Sequence, residues 1–188
     1  TGCGTSSRQI VFLYSELMAK HGVKAVFSDR DGGCSHAPFD SLNLGFGLGD
    51  ADANVNQNLS TLCKQSEMPL PHQSIQVHGD SVLCCSGEGV AHQVEADILI
   101  TTAVNVAVAV RTADCLPILL ADETHGVIAA VHAGWKGTVL QVAEKAVSEM
   151  CARGADTKCI VASLGPCIGP CCFEVDQDIA NQLQASCG

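Results

Sequence analysis

Apolar positions change period several times along this chain, and each change marks an element boundary. Residues 24–28 read as a short strand, and Asp31-Gly32-Gly33 follows as a turn where the backbone bends sharply. Between 52 and 67, Val55, Leu59, Leu62 and Cys63 recur at helical spacing, with Asp50 or Asp52 placed to cap the first turn. Two short β segments, 74–78 and 81–85, flank a tight Gly79-Asp80 turn. The centre is the most sheet-like part, because 97–101, 104–110, 116–121 and 127–131 are rich in β-branched and aliphatic residues and predict adjacent core strands. Continuous apolar runs imply burial on both faces, so helices or a second sheet must cover them. After Gly137, the residues Val139, Val142, Ala143, Ala146, Val147 and Met150 form an amphipathic helix that Gly154 ends in a left-handed conformation. A strand over 159–164, a Gly-Pro-rich turn over 165–170 and a helix starting at Asp176 complete the pattern. The fold expectation is α/β, one layered domain over residues 1–188 with a mixed β-sheet core covered by helices.

Composition narrows this picture. A hydrophobic content of 47% fills one sizeable core. The longest apolar runs, 104–110 and 116–121, are far shorter than the roughly 20 residues a membrane helix needs, so no membrane partner is expected. A formal net charge of −10 argues against a nucleic-acid partner, because affinity for phosphodiester backbones comes mainly from clustered Lys and Arg. A small anionic substrate stays compatible, since a few cations in a cleft set the local potential. Twelve cysteines suggest a secreted disulfide scaffold at first sight, but such scaffolds are shorter and poorer in aliphatic residues. Reduced thiols in a cytoplasmic protein are expected, with Cys63, Cys151 and Cys159 as small buried filler. No signal-peptide pattern opens the chain, which starts at Thr1 rather than Met.

Three segments put a metal-capable side chain at the end of a predicted strand, beside glycine or a charged residue. They are Gln76-Val77-His78-Gly79, Thr112-Ala113-Asp114-Cys115 and His132-Ala133-Gly134-Trp135. Strand ends hold side chains within the tolerance that metal and catalytic sites need, and glycine permits close approach. Two imidazoles and one thiolate suit zinc, and three protein ligands leave a fourth position open, as in catalytic sites. The competing reading makes each a hydrogen-bonded histidine or a packed cysteine, and no compact metal signature decides between them. His36, His72, His92 and His125 read as residues of loops or exposed turns. Cys84 and Cys85, being adjacent on a strand, point to opposite faces and would not converge on one ion. Cys167, Cys171 and Cys172 read as packing around a Gly-Pro turn, with redox chemistry as the alternative. Arg30, Arg111 and Lys136 are candidate anion contacts. Arg30 is the strongest, because it precedes a Gly-Gly turn and a second polar turn, Ser41 to Gly45, whose Asn43 amide suits a phosphate or sugar hydroxyl.

Taken together and in order, these motifs resemble the laccase-domain proteins, also described as multicopper polyphenol oxidase-like proteins and as purine nucleoside phosphorylases. The resemblance covers about residues 26–175. It is carried by Phe27-Ser28-Asp29-Arg30-Asp31-Gly32-Gly33, Ser41-Leu42-Asn43-Leu44-Gly45, Gln76-Val77-His78-Gly79, Ala96-Asp97, Thr112 to Pro117, His132 to Gly137, Gly165-Pro166 and Cys171 to Val175. It implies that His78, Cys115 and His132 are zinc ligands, with copper also reported for some members. It implies a layered α/β fold related in shape to toxin-type cysteine deamidases. It also implies phosphorolysis of adenosine, inosine and methylthioadenosine to free base and ribose 1-phosphate, together with adenosine deamination. Two departures stand out: Leu59 follows Asn58 where the family often has arginine, and the chain ends at Gly188 where members continue into an arginine-containing segment. The expectation is a piece of a longer protein, truncated at the C-terminus, with truncation at the N-terminus as the further option that a start at Thr1 leaves open.

On that resemblance, phosphate is the nucleophile in phosphorolysis, and Arg30 and Asn43 are the candidates to orient it. Asp97 or Asp114 would shuttle the proton in deamination, where zinc lowers the pKa of water. Three rivals stay open. Copper-dependent phenol oxidation needs several His-rich sites, and one set is visible. A Cys115–His132 pair for amide hydrolysis rests on fold analogy. A metal-stabilised interaction domain needs no turnover. Preferred nucleoside and oligomeric state are not legible.

Overall fold

The computed structural model describes residues 9–187. In chain order the first elements are β1 (Phe12–Tyr14), α1 (Glu16–Lys20), β2 (Val26–Ser28), α2 (Asp52–Ser66), β3 (Pro71–Ile75), β4 (Val82–Cys84), β5 (Ala91–Glu95) and β6 (Ile98–Thr101). There follow β7 (Ala107–Val108), β8 (Leu116–Asp122), β9 (Val127–Ala133), α3 (Trp135–Val139), α4 (Val142–Cys151), β10 (Val161–Leu164) and α5 (Gln177–Cys187). This is the mixed α/β architecture expected, divided into two compact units: 9–14 with 26–70, and 15–25 with 71–187.

In the first unit, β1 and β2 form an antiparallel ribbon with Leu13 opposite Phe27. Helix α2 buries Val55 and Leu59 along one stripe, together with the fully buried amide of Asn58. That amide ties down the preceding loop. Asn58 Oδ1 accepts from Cys34 N at 2.8 Å, while Nδ2 donates to Ser35 Oγ at 2.9 Å and to Asn43 O at 2.9 Å. The expected aspartate cap is absent: Ala51 is the N-cap residue and makes no side-chain cap bond. Asp50 lies one residue earlier and accepts from Ala51 N and from the Asn54 and Asn43 side chains, so its carboxylate orders the loop instead.

The second unit holds two sheets. Five strands run in the order β10-β8-β9-β6-β4, with β4 parallel to β6 and the other pairings antiparallel; three run in the order β5-β3-β7, all parallel. Period-2 alternation sends Ile98, Ile100, Ile118, Leu120, Val127, Ala129 and Val131 to one face of the larger sheet, where Val142, Ala146 and Met150 of α4 cover them. Its other face carries Leu119, Ala121, Ile128 and Val161 against Met18 of α1. Both faces are therefore covered, as the continuous apolar runs require.

Three local expectations need correction. The segments 74–78 and 81–85 form no hairpin, since β3 and β4 belong to different sheets. Of 104–110 only Ala107–Val108 is strand, and it pairs with β3 rather than with the core strands; Val104 is 86% exposed. The helix after Gly137 is broken at Gln141, whose φ of 57° is left-handed. The break turns Val142 into the core and leaves Leu140 exposed. Strand β5 escaped the pattern because its residues are half-exposed or exposed on both sides.

Candidate metal centre

The site lies in the second unit, at one end of the β8–β9 pair. Antiparallel register sets Leu116 opposite Ala133 and Pro117 opposite His132, so Cys115, immediately before β8, meets the C-terminal end of β9. His78 comes from the loop between β3 and β4. Its φ of 62° is left-handed, a costly conformation for a non-glycine residue that the surroundings must enforce. The enforcing group is Asp97. Its carboxylate, completely buried, accepts from the backbone N–H of Val77 at 3.1 Å, His78 at 3.0 Å and Gly79 at 2.8 Å. Gln76 extends the clamp: its Nε2 donates to Arg111 O at 2.7 Å, and Arg111 N donates to its Oε1 at 2.8 Å. The His78 loop is thereby tied to the segment that leads into Cys115.

One ligand atom from each of His78, Cys115 and His132 lies within 4.8 Å of the other two. The two imidazoles meet edge to face with centroids 4.7 Å apart. His132 Nδ1 donates to Asp97 Oδ1 at 2.6 Å, which aligns the ring and leaves Nε2 as the nitrogen with a free lone pair. Gly134 makes room for the convergence: a Cβ there would stand 2.7 Å from His78 Cδ2 and 3.0 Å from Cys115 Sγ. Burial, and then the carboxylates of Asp114 and Asp97, push the Cys115 thiol above its ordinary range. A cation among these donors would reverse that trend. Two nitrogens and one sulfur, held by a carboxylate–histidine contact and a cradle that a single methyl would fill, fit a borderline-soft divalent ion.

The remaining candidates take distinct positions. Asp114 is exposed beside Cys115, whereas the Asp97 carboxylate is fully buried and already engaged by three backbone N–H groups and His132. Arg111 spends its guanidinium on Gln73 Oε1 and Ser74 O, and burial lowers its pKa. Lys136 is exposed, with Nζ 5.6 Å from the Trp135 ring centroid. Arg30 and Asn43 lie in the first unit. The Arg30 guanidinium is exposed and donates through Nε to Asp40 O at 2.9 Å. Asn43 turns its amide inward, with Oδ1 accepting from Gly45 N and Nδ2 donating to Asp50 Oδ2, both at 3.0 Å.

Other residues depart from the sequence reading. His72 is in β3 and buried, not in a loop, and its Nδ1 lies 2.8 Å from His92 Nε2 on β5. His125, by contrast, sits in an exposed turn as expected, and pairs with the buried carboxylate of Asp122 at 2.7 Å. Cys63, Cys151 and Cys159 are half-buried, and every cysteine whose side chain is described is a free thiol. Sequence patterns did not foresee the steric role of Gly134 or the Gln76–Arg111 pairing. Only the glycine next to a candidate ligand hinted at the first.

The profile of the multi-copper polyphenol oxidoreductase laccase family matches residues 24–188. This chain belongs to that family. Among its relatives, the Shigella flexneri protein named purine nucleoside phosphorylase YfiH is 40% identical over 165 residues, covering 87% of this chain and 66% of its own. A purine nucleoside phosphorylase of Xylella fastidiosa is 41% identical over 167 residues, covering 84% and 63%. The chain thus spans about two thirds of the length of these family members. Among solved structures, Bacillus licheniformis hypothetical protein YfiH superposes with a TM-score of 0.83 at 28% identity, covering 92% of this chain and 68% of that one. YlmD of Geobacillus stearothermophilus superposes with a TM-score of 0.78 at 30% identity, covering 86% and 64%. No helix among the described residues is long and apolar enough to cross a membrane.

Proposed function

We propose that this chain carries the metal centre of a zinc-dependent purine nucleoside phosphorylase, with His78, Cys115 and His132 as the ligands. The observation that carries the reading is the convergence of those three donors around a glycine whose Cβ would fill the gap. The names of the family members supply the substrate class, purine nucleoside and phosphate. Zinc held there supplies a Lewis acid that can polarise the substrate.

The chain's own groups do the rest. Asp97 is a positioning residue, because its carboxylate is already committed to His132 Nδ1 and the loop carrying His78. Asp114, exposed next to Cys115, is the carboxylate available to give or take a proton, and it would serve phosphorolysis or adenosine deamination alike. Arg30 is the first unit's candidate for phosphate, and Asn43 acts through the order of the adjoining loop. A cytoplasmic setting, where thiols stay reduced, suits the free cysteines.

The test is to load the protein with zinc, supply inosine with and without phosphate, and follow hypoxanthine. Phosphate-dependent release is expected. Release that is indifferent to phosphate, or no release from zinc-loaded protein, would overturn the phosphorylase reading.

A further inference from the structure

Apart from the centre just described, the second unit brings together a second set of two imidazoles and a thiol. We propose that His72, Cys85 and His92 form a separate site for a borderline-soft transition-metal ion of the zinc class. One ligand atom from each lies within 4.8 Å of the others, and the set shares no residue with His78, Cys115 and His132.

Topology builds this cluster. His72 on β3 and His92 on β5 face one another because those strands pair in parallel, with Gln73 opposite Ala91. The rings stack with centroids 5.1 Å apart. His72 is fixed on both sides of its strand, since its carbonyl accepts from Ala109 N at 3.0 Å and Gln73 N donates to Val90 O at 3.0 Å. Cys85 follows β4, and its N donates to Ile100 O at 2.8 Å, locking the buried side chain to the edge of the larger sheet. Adjacent Cys84 faces the other way and accepts from the Arg153 guanidinium. The two cysteines do point to opposite faces, and Cys85 finds its partners on other strands.

An independent observation points to a ligand. His72 is 1% exposed, yet its Nε2 has no hydrogen-bond partner. A buried imidazole nitrogen without a partner forfeits its hydration with nothing in exchange, and such a group in a native fold calls for an ion or a water beside it. A thiol only 5% exposed supplies the soft donor that favours a metal over water. His92 is less buried than the other two and provides the route of entry. On binding, the thiol proton leaves as the sulfur–metal bond forms, the 2.8 Å hydrogen bond between His72 Nδ1 and His92 Nε2 gives way to nitrogen–metal bonds, and both imidazoles bind as neutral ligands.

The test uses the reduced, metal-free protein titrated with zinc against a chromophoric chelator, with cobalt substitution to read thiolate-to-metal absorption. Two ions per chain are expected for the unaltered protein. His92→Gln, at the least buried of the three positions, should retain one. Cys115→Ala should also retain one, and its cobalt form should keep a thiolate band that Cys85→Ala removes. Thermal melting of each variant establishes that it is folded. One ion per unaltered chain that folded Cys115→Ala loses, full stoichiometry in folded His92→Gln, or no bound ion in folded Cys115→Ala would overturn the proposal. The Cys115 and His92 variants fail independently, so loss of this site is distinguishable from loss of the phosphorylase centre.

Discussion

Asp97 holds His132 across 2.6 Å, from Oδ1 to Nδ1, with the same carboxylate that receives the backbone N–H of His78. One buried side chain therefore sets both the ring orientation of one candidate ligand and the left-handed backbone of another. Its replacement is expected to separate binding from folding. Asp97→Asn keeps the shape but turns one acceptor into a donor, and should weaken zinc binding about 10–100-fold. Asp97→Ala leaves three backbone N–H groups unsatisfied and should cost roughly 3 kcal/mol or more. Chelator competition reads the first effect and chemical denaturation the second; wild-type affinity in Asp97→Asn would refute the clamp.

Gly134→Ala tests the cradle. Its backbone φ of −80° suits any residue, so strain plays no part and the whole effect is steric. The added methyl would press on His78 Cδ2 and Cys115 Sγ. Overpacking should cost about 1–3 kcal/mol, and the donors should be forced apart. Zinc affinity is expected to fall with little change in circular dichroism. Unchanged affinity would show that the three residues do not converge on an ion.

Cys115→Ala should abolish binding at the proposed phosphorylase centre and the phosphate-dependent release of hypoxanthine. Zinc content and product formation are measured on the same preparation. A variant with both properties intact would remove Cys115 from the ligand set.

The first unit predicts an acid dependence. Hydrogen bonds from Ser35, Asn43 and Asn54 hold the Asp50 carboxyl at about 2, below its ordinary value of 3.8. A depressed folded-state pKa contributes stability that is present above the unfolded value and lost as pH falls through the folded one. The stability gap between wild type and Asp50→Asn should therefore be full above pH 3.8 and shrink as pH falls toward about 2. A gap constant across that window would contradict the assignment.

Asn58→Ala should loosen the same loop. The substitution strips partners from Cys34 N, Ser35 Oγ and Asn43 O, at a cost of roughly 3 kcal/mol. Hydrogen exchange should speed up at Cys34 while β9 stays protected. Equal acceleration in both would make the effect global.

Much of the fold was legible because apolar period records burial directly. Strands β6, β8 and β9 and helix α2 were foreseen for that reason, and α5 begins one residue after the Asp176 that was expected to start it. Strand β5 and the β3–β7 pairing were not, because few of their side chains are apolar and buried together. The first site was legible as three motifs with glycine neighbours. His72 and His92 were read as surface residues, because nothing local in the sequence reports that parallel strands will bring them face to face.

The order of motifs from Phe27 to Val175 pointed to the family, and the alternation of β8 and β9 established which residues face the core. Only tertiary structure decided which polar groups meet. Hydrophobic patterning acts within a segment and survives in any fold that buries it. A hydrogen bond such as Asp97 to His132 depends instead on register between strands distant in sequence. The β8–β9 register likewise brings Cys115 to His132 and the Asp97 clamp brings His78 to both, while the β3–β5 pairing in the other sheet sets His72 against His92.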